Sequence, residues 1–293
     1  MSSLYDLPRT EEESVLFFQE KGILPSARIC KNGHEMKLNI SKGVWRCTIS
    51  SCDVMISIRS NNWFSGSRIP FLTAVRFIYH WTEEVTSIKW CRKHLNICDK
   101  TTIDWNSFLR EVCFLHLLKQ PNRRIGGPGK IVEIDETLFT RRKSNAGWVL
   151  PQQWIFGGIC RKTGDCFLVP VPNREATTLM TKIVEHIEQE STIYSDCWRA
   201  YKTDELERAG YSHFTVNHKY NFVDPTTGAH TQNIERLWGS AKWRNKKQRG
   251  TARHHLESYL AEFMWKKSLG QGNAFENILK AIAEIWQPQT ICQ

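Results

Sequence analysis

Ile131-Val132-Glu133-Ile134-Asp135 decides how this chain is read: a β-branched run that ends on a carboxylate. β-Branched side chains suit a pleated surface better than a helix, so the run is a strand with an acid at its exit. Working outward, Trp154-Ile155-Phe156-Gly157-Gly158-Ile159 and Cys166-Phe167-Leu168-Val169-Pro170-Val171 read as two more strands. Thr163-Gly164-Asp165 is the hairpin turn between them. Residues 174–190 read as a helix, with Leu179, Ile183 and Ile187 on one face. Thr192-Ile193-Tyr194-Ser195 is a fourth strand running into Asp196, and His213-Phe214-Thr215-Val216 a fifth. A further helix starts near Thr231.

Three strands, a helix, a strand, a short helical piece, a strand and then helices make an α/β order. It is compatible with a ribonuclease-H-like fold, a mixed sheet with flanking helices. In that fold the first and fourth strands are neighbours, so Asp135 and Asp196 meet at one sheet edge. Glu235 follows Thr231 by about one turn and borders the apolar stripe Ile234, Leu237, Trp238 and Ala241. Three hard oxygen ligands suit Mg²⁺ or Mn²⁺. Two such ions roughly 3.5–4 Å apart serve an in-line displacement at phosphorus. A single acid at a strand end is often a solvated cap, so the joint placement carries the case. Glu133 shares a strand face with Asp135 and is expected to assist, while Glu136 points the other way, toward a basic residue or water. Asp224, Glu257 and Glu262 are the other acids weighed for third place. Asp224 sits in a turn-rich stretch that fixes it poorly, and Glu257 and Glu262 lie beyond a basic cluster and Gly250.

The first half differs. Thr10-Glu11-Glu12-Glu13 is a capping-box pattern before a short helix that Gly22 stops. Cys30, His34, Cys47 and Cys52 form two close pairs amid strand-like pieces, as a tetrahedral Zn²⁺ requires. The alternative is a hairpin with reduced thiols and a surface histidine. Pro70 opens a helical region reaching about Lys119. Within it Thr86–Leu95 and Thr101–Leu118, joined by Asn96–Lys100, are candidates for a helix-turn-helix. The second helix would turn Thr102, Asp104, Trp105 and Arg110 outward, with Ile103, Phe108, Val112 and Leu115 as its back. A plain helical pair is the alternative. Pro121–Lys130 is rich in Pro, Gly and Arg and reads as a linker.

A formal net charge of +10 favours a polyanionic partner. Trp90, Trp198, Trp243 and Trp265 stand beside basic residues, which suits stacking on bases as well as an ordinary core place. The basic residues singled out for DNA are Lys89, Arg92 and Lys93, then Arg141, Arg142 and Lys143, then Lys242, Arg244, Lys246, Lys247 and Arg249, together with Thr102 and Arg110. The cluster after Glu235 also reads as a nuclear address. No secretory signal and no membrane span are visible, so the ten cysteines read as intracellular thiols or metal ligands.

From Gly129 to about Lys267 the chain resembles the catalytic domain of Merlin-type transposases and related bacterial insertion-sequence transposases. The matching pieces are Val132-Glu133-Ile134-Asp135-Glu136-Thr137, Arg141-Arg142-Lys143, Trp154 to Ile159, Ile193 to Tyr201, Asn217-His218, Phe222-Val223-Asp224, and His230-Thr231-Gln232-Asn233-Ile234-Glu235-Arg236-Leu237-Trp238. Trp45-Arg46-Cys47 and Ser60 to Ser67 resemble that family's N-terminal module. The resemblance implies a DDE enzyme with Asp135, Asp196 and Glu235 as catalytic metal ligands, two Mg²⁺ or Mn²⁺ per active site and one structural Zn²⁺. It implies double-stranded DNA partners, transposon ends and target, and at least a homodimer on DNA. The expected division is 1–68 helix plus zinc-ribbon-like module, 69–120 helix-turn-helix-like region, 121–130 linker, 131–270 catalytic domain and 271–293 C-terminal helix. The expected activity is cut-and-paste transposition from terminal inverted repeats, in the nucleus if the host is eukaryotic. A DNA-binding regulator without transposition and a structure-selective nuclease of the same fold are the competing readings.

Overall fold

A computed structural model describes residues 6–120, 123–139, 153–198, 200–217, 223–247 and 253–290, with side chains for all of these except 244–247 and 253–254. The chain separates into two units, Met1–His116 with Gln271–Gln293, and Leu117–Gly270.

In the first unit α1 (Glu11–Glu20) starts where the capping pattern predicts. The Thr10 hydroxyl accepts the Glu13 N–H at 3.1 Å, while the Glu13 carboxylate takes the Arg9 N–H at 2.7 Å, one residue before the usual partner. Strands β1 (Arg28–Ile29), β2 (Glu35–Asn39), β3 (Val44–Cys47) and β4 (Met55–Ser57) form an antiparallel sheet in chain order. Helix α2 (Phe71–Thr82) gives its first N–H groups, those of Phe71 and Leu72, to the Glu11 carboxylate at 2.7 and 2.9 Å. Helices α3 (Ile88–Leu95) and α4 (Asp99–Leu118) follow, with Asn96 ending α3 in the left-handed region.

The face that α4 buries differs from the expectation. Thr102, Trp105, Leu109, Arg110, Val112 and Cys113 are inside, whereas Ile103 and Phe108 are 55% and 44% exposed. Trp105 sets this face, because its ring meets Trp63 at 5.2 Å and Phe77 at 5.7 Å edge-on. Burying the largest apolar side chain outweighs the stripe of smaller ones. Thr102 and Arg110 therefore point inward and do not serve as the DNA-facing pair expected of them; the Thr102 hydroxyl donates to Cys98 O at 3.1 Å.

In the second unit the stretch read as a linker carries a short strand, β5 (Ile125–Gly126). The sheet strands are β6 (Ile131–Leu138), β7 (Trp154–Cys160) and β8 (Cys166–Val171). Helix α5 (Ala176–His186) ends four residues before the expected limit, because Ile187 enters β9 (Ile187–Glu188), which pairs in parallel with β5. Then come β10 (Thr192–Asp196), α6 (Thr203–Arg208), β11 (Ser212–Val216), α7 (Gln232–Lys247) and α8 (Arg253–Ser268). The sheet order is β11-β10-β6-β7-β8, with β10 and β11 parallel to β6 and β7 antiparallel to both its neighbours. Counted from β6 and read from the β8 edge, that is third-second-first-fourth-fifth, the arrangement of a ribonuclease-H-like sheet.

Each face of the sheet covers a core. On one side Val132, Ile134, Phe156 and Phe167 meet Leu179 and Ile183 of α5. On the other Ile155, Ile159 and Leu168 meet Ile234, Leu237 and Trp238 of α7 and Leu256 and Leu260 of α8. The last helix, α9 (Ala274–Ile285), belongs to the first unit. Asn273 caps it, Phe275 stacks on Phe17 at 6.1 Å, and Glu276 pairs with Lys21 at 2.7 Å. No helix among the described residues is long and apolar enough to cross a membrane.

Candidate active site and metal centre

β6 and β10 are adjacent and parallel, in register Thr192↔Ile131, Ile193↔Val132 and Tyr194↔Glu133. Carried two residues further, the register sets Asp196, the last residue of β10, beside Asp135; β6 does not stop at Asp135 as the sequence suggested but runs on to Leu138, paired with β7. Asp135 is pushed up to about 7, first by burial and then by the charges of Glu136 and Asp196. Two donors work against this: the Glu136 N–H on Oδ1 at 2.8 Å and the Trp238 indole N–H on Oδ2 at 3.0 Å. The Trp198 N–H holds Asp196 Oδ1 at 3.1 Å. Glu136 is also pushed upward by burial, against the Tyr201 hydroxyl that donates to it at 2.6 Å. Three carboxyl groups thus crowd together where β10 ends beside β6. Hard oxygens in that condition fit a divalent cation.

Trp238 reaches Asp135 because residue 157 is glycine. Gly157 sits across from Asp135 in the β6–β7 register, and a Cβ there would lie 2.6 Å from the indole. Sequence reasoning missed this contact, although a glycine inside a strand signals close approach of another group.

The two glutamates flanking Asp135 exchange the roles expected of them. Glu133 does share the face of Asp135, but it is wholly buried and fully engaged. Its Oε1 accepts from Arg161 Nε and Asn233 Nδ2, both at 2.6 Å; its Oε2 accepts the N–H groups of Asn233 and Ile234 at 2.8 and 3.0 Å. It anchors the first turn of α7 to the sheet, where a carboxylate satisfies orphan N–H groups and suits the helix dipole. Glu136 is the one whose charge joins the aspartates.

Glu235 stands on the exposed side of the first turn of α7, three residues before Trp238. Its carboxylate takes the Thr231 hydroxyl at 3.4 Å. The structure gathers Asp135, Glu136 and Asp196, and carries Glu235 on the helix whose Trp238 meets Asp135. Asp224 is not loosely held, as the sequence suggested. Its Oδ1 accepts from Thr226 N, Thr227 N and the Thr227 hydroxyl at 2.8–3.0 Å, which fixes it in its own turn. Glu262 is buried and pairs with Lys266 at 3.1 Å, and Glu257 is exposed on α8.

Of the other groups around the acids, Arg174 came from no motif, whereas Lys242 belongs to the basic cluster read from the sequence. The Arg174 guanidinium lies between the rings of Trp154 and Trp198, 4.0 and 4.3 Å from their centres, and its charge bears on Glu136. Lys242 donates to the Thr137 hydroxyl and lies 5.9 Å from the Phe139 ring centre. Of the tryptophans beside basic residues, Trp198 and Trp243 are exposed while Trp265 is core. Lys89 and Lys93 are exposed on α3; Arg92 is exposed too but pairs with Asp99 at 2.6 Å. Arg141, Arg142, Lys143 and Arg249 lie outside the described residues, as do the side chains of Arg244, Lys246 and Lys247.

In the first unit Cys30, His34, Cys47 and Cys52 converge, their ligand atoms all within 4.8 Å of one another. Cys30 Sγ is 3.8 Å from Cys52 Sγ, and Cys47 Sγ is 3.6 Å from His34 Nδ1. A tetrahedral zinc with ordinary bond lengths has S···S edges of about 3.8 Å and S···N edges of about 3.5 Å, so the donor set fits zinc. Each pair sits on a tight turn between strands: Gly33 N–H bonds Cys30 O at 2.9 Å, and Cys52 N–H bonds Ile49 O at 3.0 Å. Gly33 has φ +81°, which favours glycine there. The Asn32 amide at 3.1 Å from Cys52 Sγ and the Ile49 N–H at 3.4 Å from Cys47 Sγ would stabilise thiolates.

Comparison with known proteins adds three findings. Residues 123–268 match the family model described as ISXO2-like transposase domain. An uncharacterized transposase-like protein of Haemophilus influenzae is 30% identical over 118 residues, 40% of this chain and 93% of that protein. Among solved structures, the HTLV-2 integrase catalytic core domain in complex with magnesium aligns at 15% identity, covering 50% of this chain and 89% of that one, with a TM-score of 0.33. A simian T-cell lymphotropic virus intasome chain aligns at 18% identity and a TM-score of 0.32, covering 47% of this chain; this chain spans about half of it, 49%.

Proposed function

We propose, from the premise that the chain belongs to the ISXO2-like transposase family, that it cuts DNA at the ends of a mobile element and joins those ends to a target, with Asp135, Asp196 and Glu235 as metal ligands. One observation carries this reading. Asp135 on β6 and Asp196 at the end of β10 lie on adjacent parallel strands, and burial together with the charges of Glu136 and Asp196 holds Asp135 near 7. Two bound Mg²⁺ or Mn²⁺ ions supply activation of the attacking oxygen and stabilisation of the leaving one.

The protein's own groups do the positioning. The Trp238 indole and the Glu136 N–H fix the Asp135 carboxylate, and the Trp198 N–H fixes Asp196. Glu133 ties the start of α7 to the sheet, which keeps Glu235 at the same edge. On this reading Glu235, exposed on the first turn of α7, would be the third residue to hold the metal. The Cys30, His34, Cys47 and Cys52 set holds one structural zinc, and α3 with α4 forms a helix-turn-helix that reads DNA through Lys89 and Lys93. We further read the chain as of Merlin type, acting on terminal inverted repeats by cut-and-paste, as at least a homodimer on DNA, in the nucleus of a eukaryotic host.

The test is joining of a labelled element end, taken from the flanks of the gene, to a second duplex in Mg²⁺. Joined product that disappears on chelation supports the reading. A folded, zinc-loaded protein that binds the end but neither nicks nor joins it in Mg²⁺ or Mn²⁺ sinks it in favour of a DNA-binding regulator.

A further inference from the structure

Between the segment at Leu7–Arg9 and helices α2 and α3 lies a cavity of about 600 Å³. Arg76 and His80 line it from α2, Trp90, His94 and Leu95 from α3, and Arg9 from the chain entering α1. Its aromatic wall is continuous. The rings of His80 and Trp90 lie 4.4 Å apart, and those of Trp90 and His94 lie 4.8 Å apart and nearly parallel at 29°. No carboxylate is among the described residues that line it. Arg9 and Arg76 are exposed at its rim. Burial holds His80 below the usual histidine range, and the neighbouring His94 and Arg76 push it further down. The cavity is therefore electropositive, flat-walled on one side and closed by apolar carbons on another.

A ligand that fits must be planar, partly apolar and anionic. A mononucleotide has those properties: a base to lie against rings and a phosphate to meet guanidinium groups. We propose that this cavity takes a single unpaired nucleotide, its base against the Trp90–His94 wall and its phosphate between Arg9 and Arg76. Free nucleotide and the unpaired end of a DNA strand share this chemistry. DNA is the favoured source, because α3 also presents Lys89 and Lys93, both exposed, next to the cavity. That choice of source rests on the reading of the chain as acting on DNA.

Binding of the full, zinc-loaded chain is measured without divalent metal, by anisotropy of a labelled blunt duplex and of the same duplex with a short single-stranded overhang. Deoxyadenosine monophosphate and inorganic phosphate serve as competitors. The overhang binds more tightly than the blunt end, and Trp90→Ala removes that advantage by roughly five- to 150-fold, the range that base–aromatic stacking spans. Trp90→Phe keeps most of it. Arg76→Gln, a surface change that cannot unfold the helix, weakens the overhang complex and leaves the blunt one alone. Equal weakening of both duplexes by Trp90→Ala overturns the proposal, as does an overhang without advantage. Inorganic phosphate competing as well as the mononucleotide overturns the part played by the rings. Because cutting is not read, a chain that passes this test yet never nicks DNA refutes the proposed function and leaves the cavity's role standing.

Discussion

Glu133→Gln keeps the size of the side chain and removes its charge. Four donors converge on the native carboxylate, Arg161 Nε and Asn233 Nδ2 on one oxygen and the Asn233 and Ile234 N–H groups on the other. An amide offers one oxygen and one NH₂, so two of the four donors meet a donor whichever way it turns. The Arg161 guanidinium is left beside a neutral group. Removing one partner of a buried pair costs about 3–5 kcal/mol. At roughly 2–4 °C per kcal/mol for a domain of this size, the melting temperature of the second unit falls by about 6–20 °C. Thermal unfolding followed by near-ultraviolet circular dichroism reads the shift. Hydrogen exchange locates it, since the Asn233 and Ile234 amides lose protection first. A catalytic role for Glu133 makes the opposite forecast, native stability with dead chemistry. A variant melting within about 2 °C of the parent, with both amides still protected, would refute the anchoring argument.

Four further outcomes follow from the same structure. Gly157→Ala drives a Cβ into the Trp238 indole, costs about 1–3 kcal/mol, and slows DNA cleavage because the Asp135 hydrogen bond is lost; unchanged cleavage shows that Trp238 does not position the acid. Asp135 held near 7 against an ordinary 3.8 means that the metal-free native chain keeps a proton the unfolded chain releases. The stability this contributes is full below about pH 4 and is lost as pH rises through about 7, so denaturant midpoints fall between about pH 4 and 7 without metal, and Mg²⁺ binding near pH 6 releases a proton; a flat profile contradicts the shift. Elemental analysis finds one zinc per chain and none in Cys47→Ser, whose first unit melts earlier; a folded, zinc-free parent rules the centre out. Single-turnover strand transfer collapses in Glu235→Gln but survives in Asp224→Asn, whose Oδ1 is held in its own turn by Thr226 and Thr227; the reverse pattern reassigns the third ligand.

The catalytic unit was largely legible because its strands are short, β-branched and separated by clear turns. Strands at 131–138, 154–160, 166–171, 192–196 and 212–216 lie where their residue types put them. The paired spacing of Cys30, His34, Cys47 and Cys52 was equally readable, since ligands on two tight turns need little else to converge. What escaped depends on partners distant in sequence. Strand parity put Glu133 on the face of Asp135, but nothing local says that Arg161 and the first turn of α7 will claim it. The buried face of α4 was misjudged because two apolar stripes overlap and only the aromatic cluster around Trp105 chooses between them. The early end of α5 at His186 depends on Ile187 pairing with Ile125, a strand too short to show in any pattern.

The central claim is that the carboxylates of Asp135 on β6 and Asp196 at the end of β10 hold the metal for DNA strand transfer. Single-turnover joining of a labelled element end to target DNA in Mg²⁺, by the parent chain and by Asp135→Asn and Asp196→Asn, tests it most directly, with end binding measured on the same samples. The account predicts joined product from the parent, none above background from either variant, and end binding in both variants within a few-fold of the parent, because the basic surface that meets phosphate is untouched. Parent-like joining by either variant contradicts it.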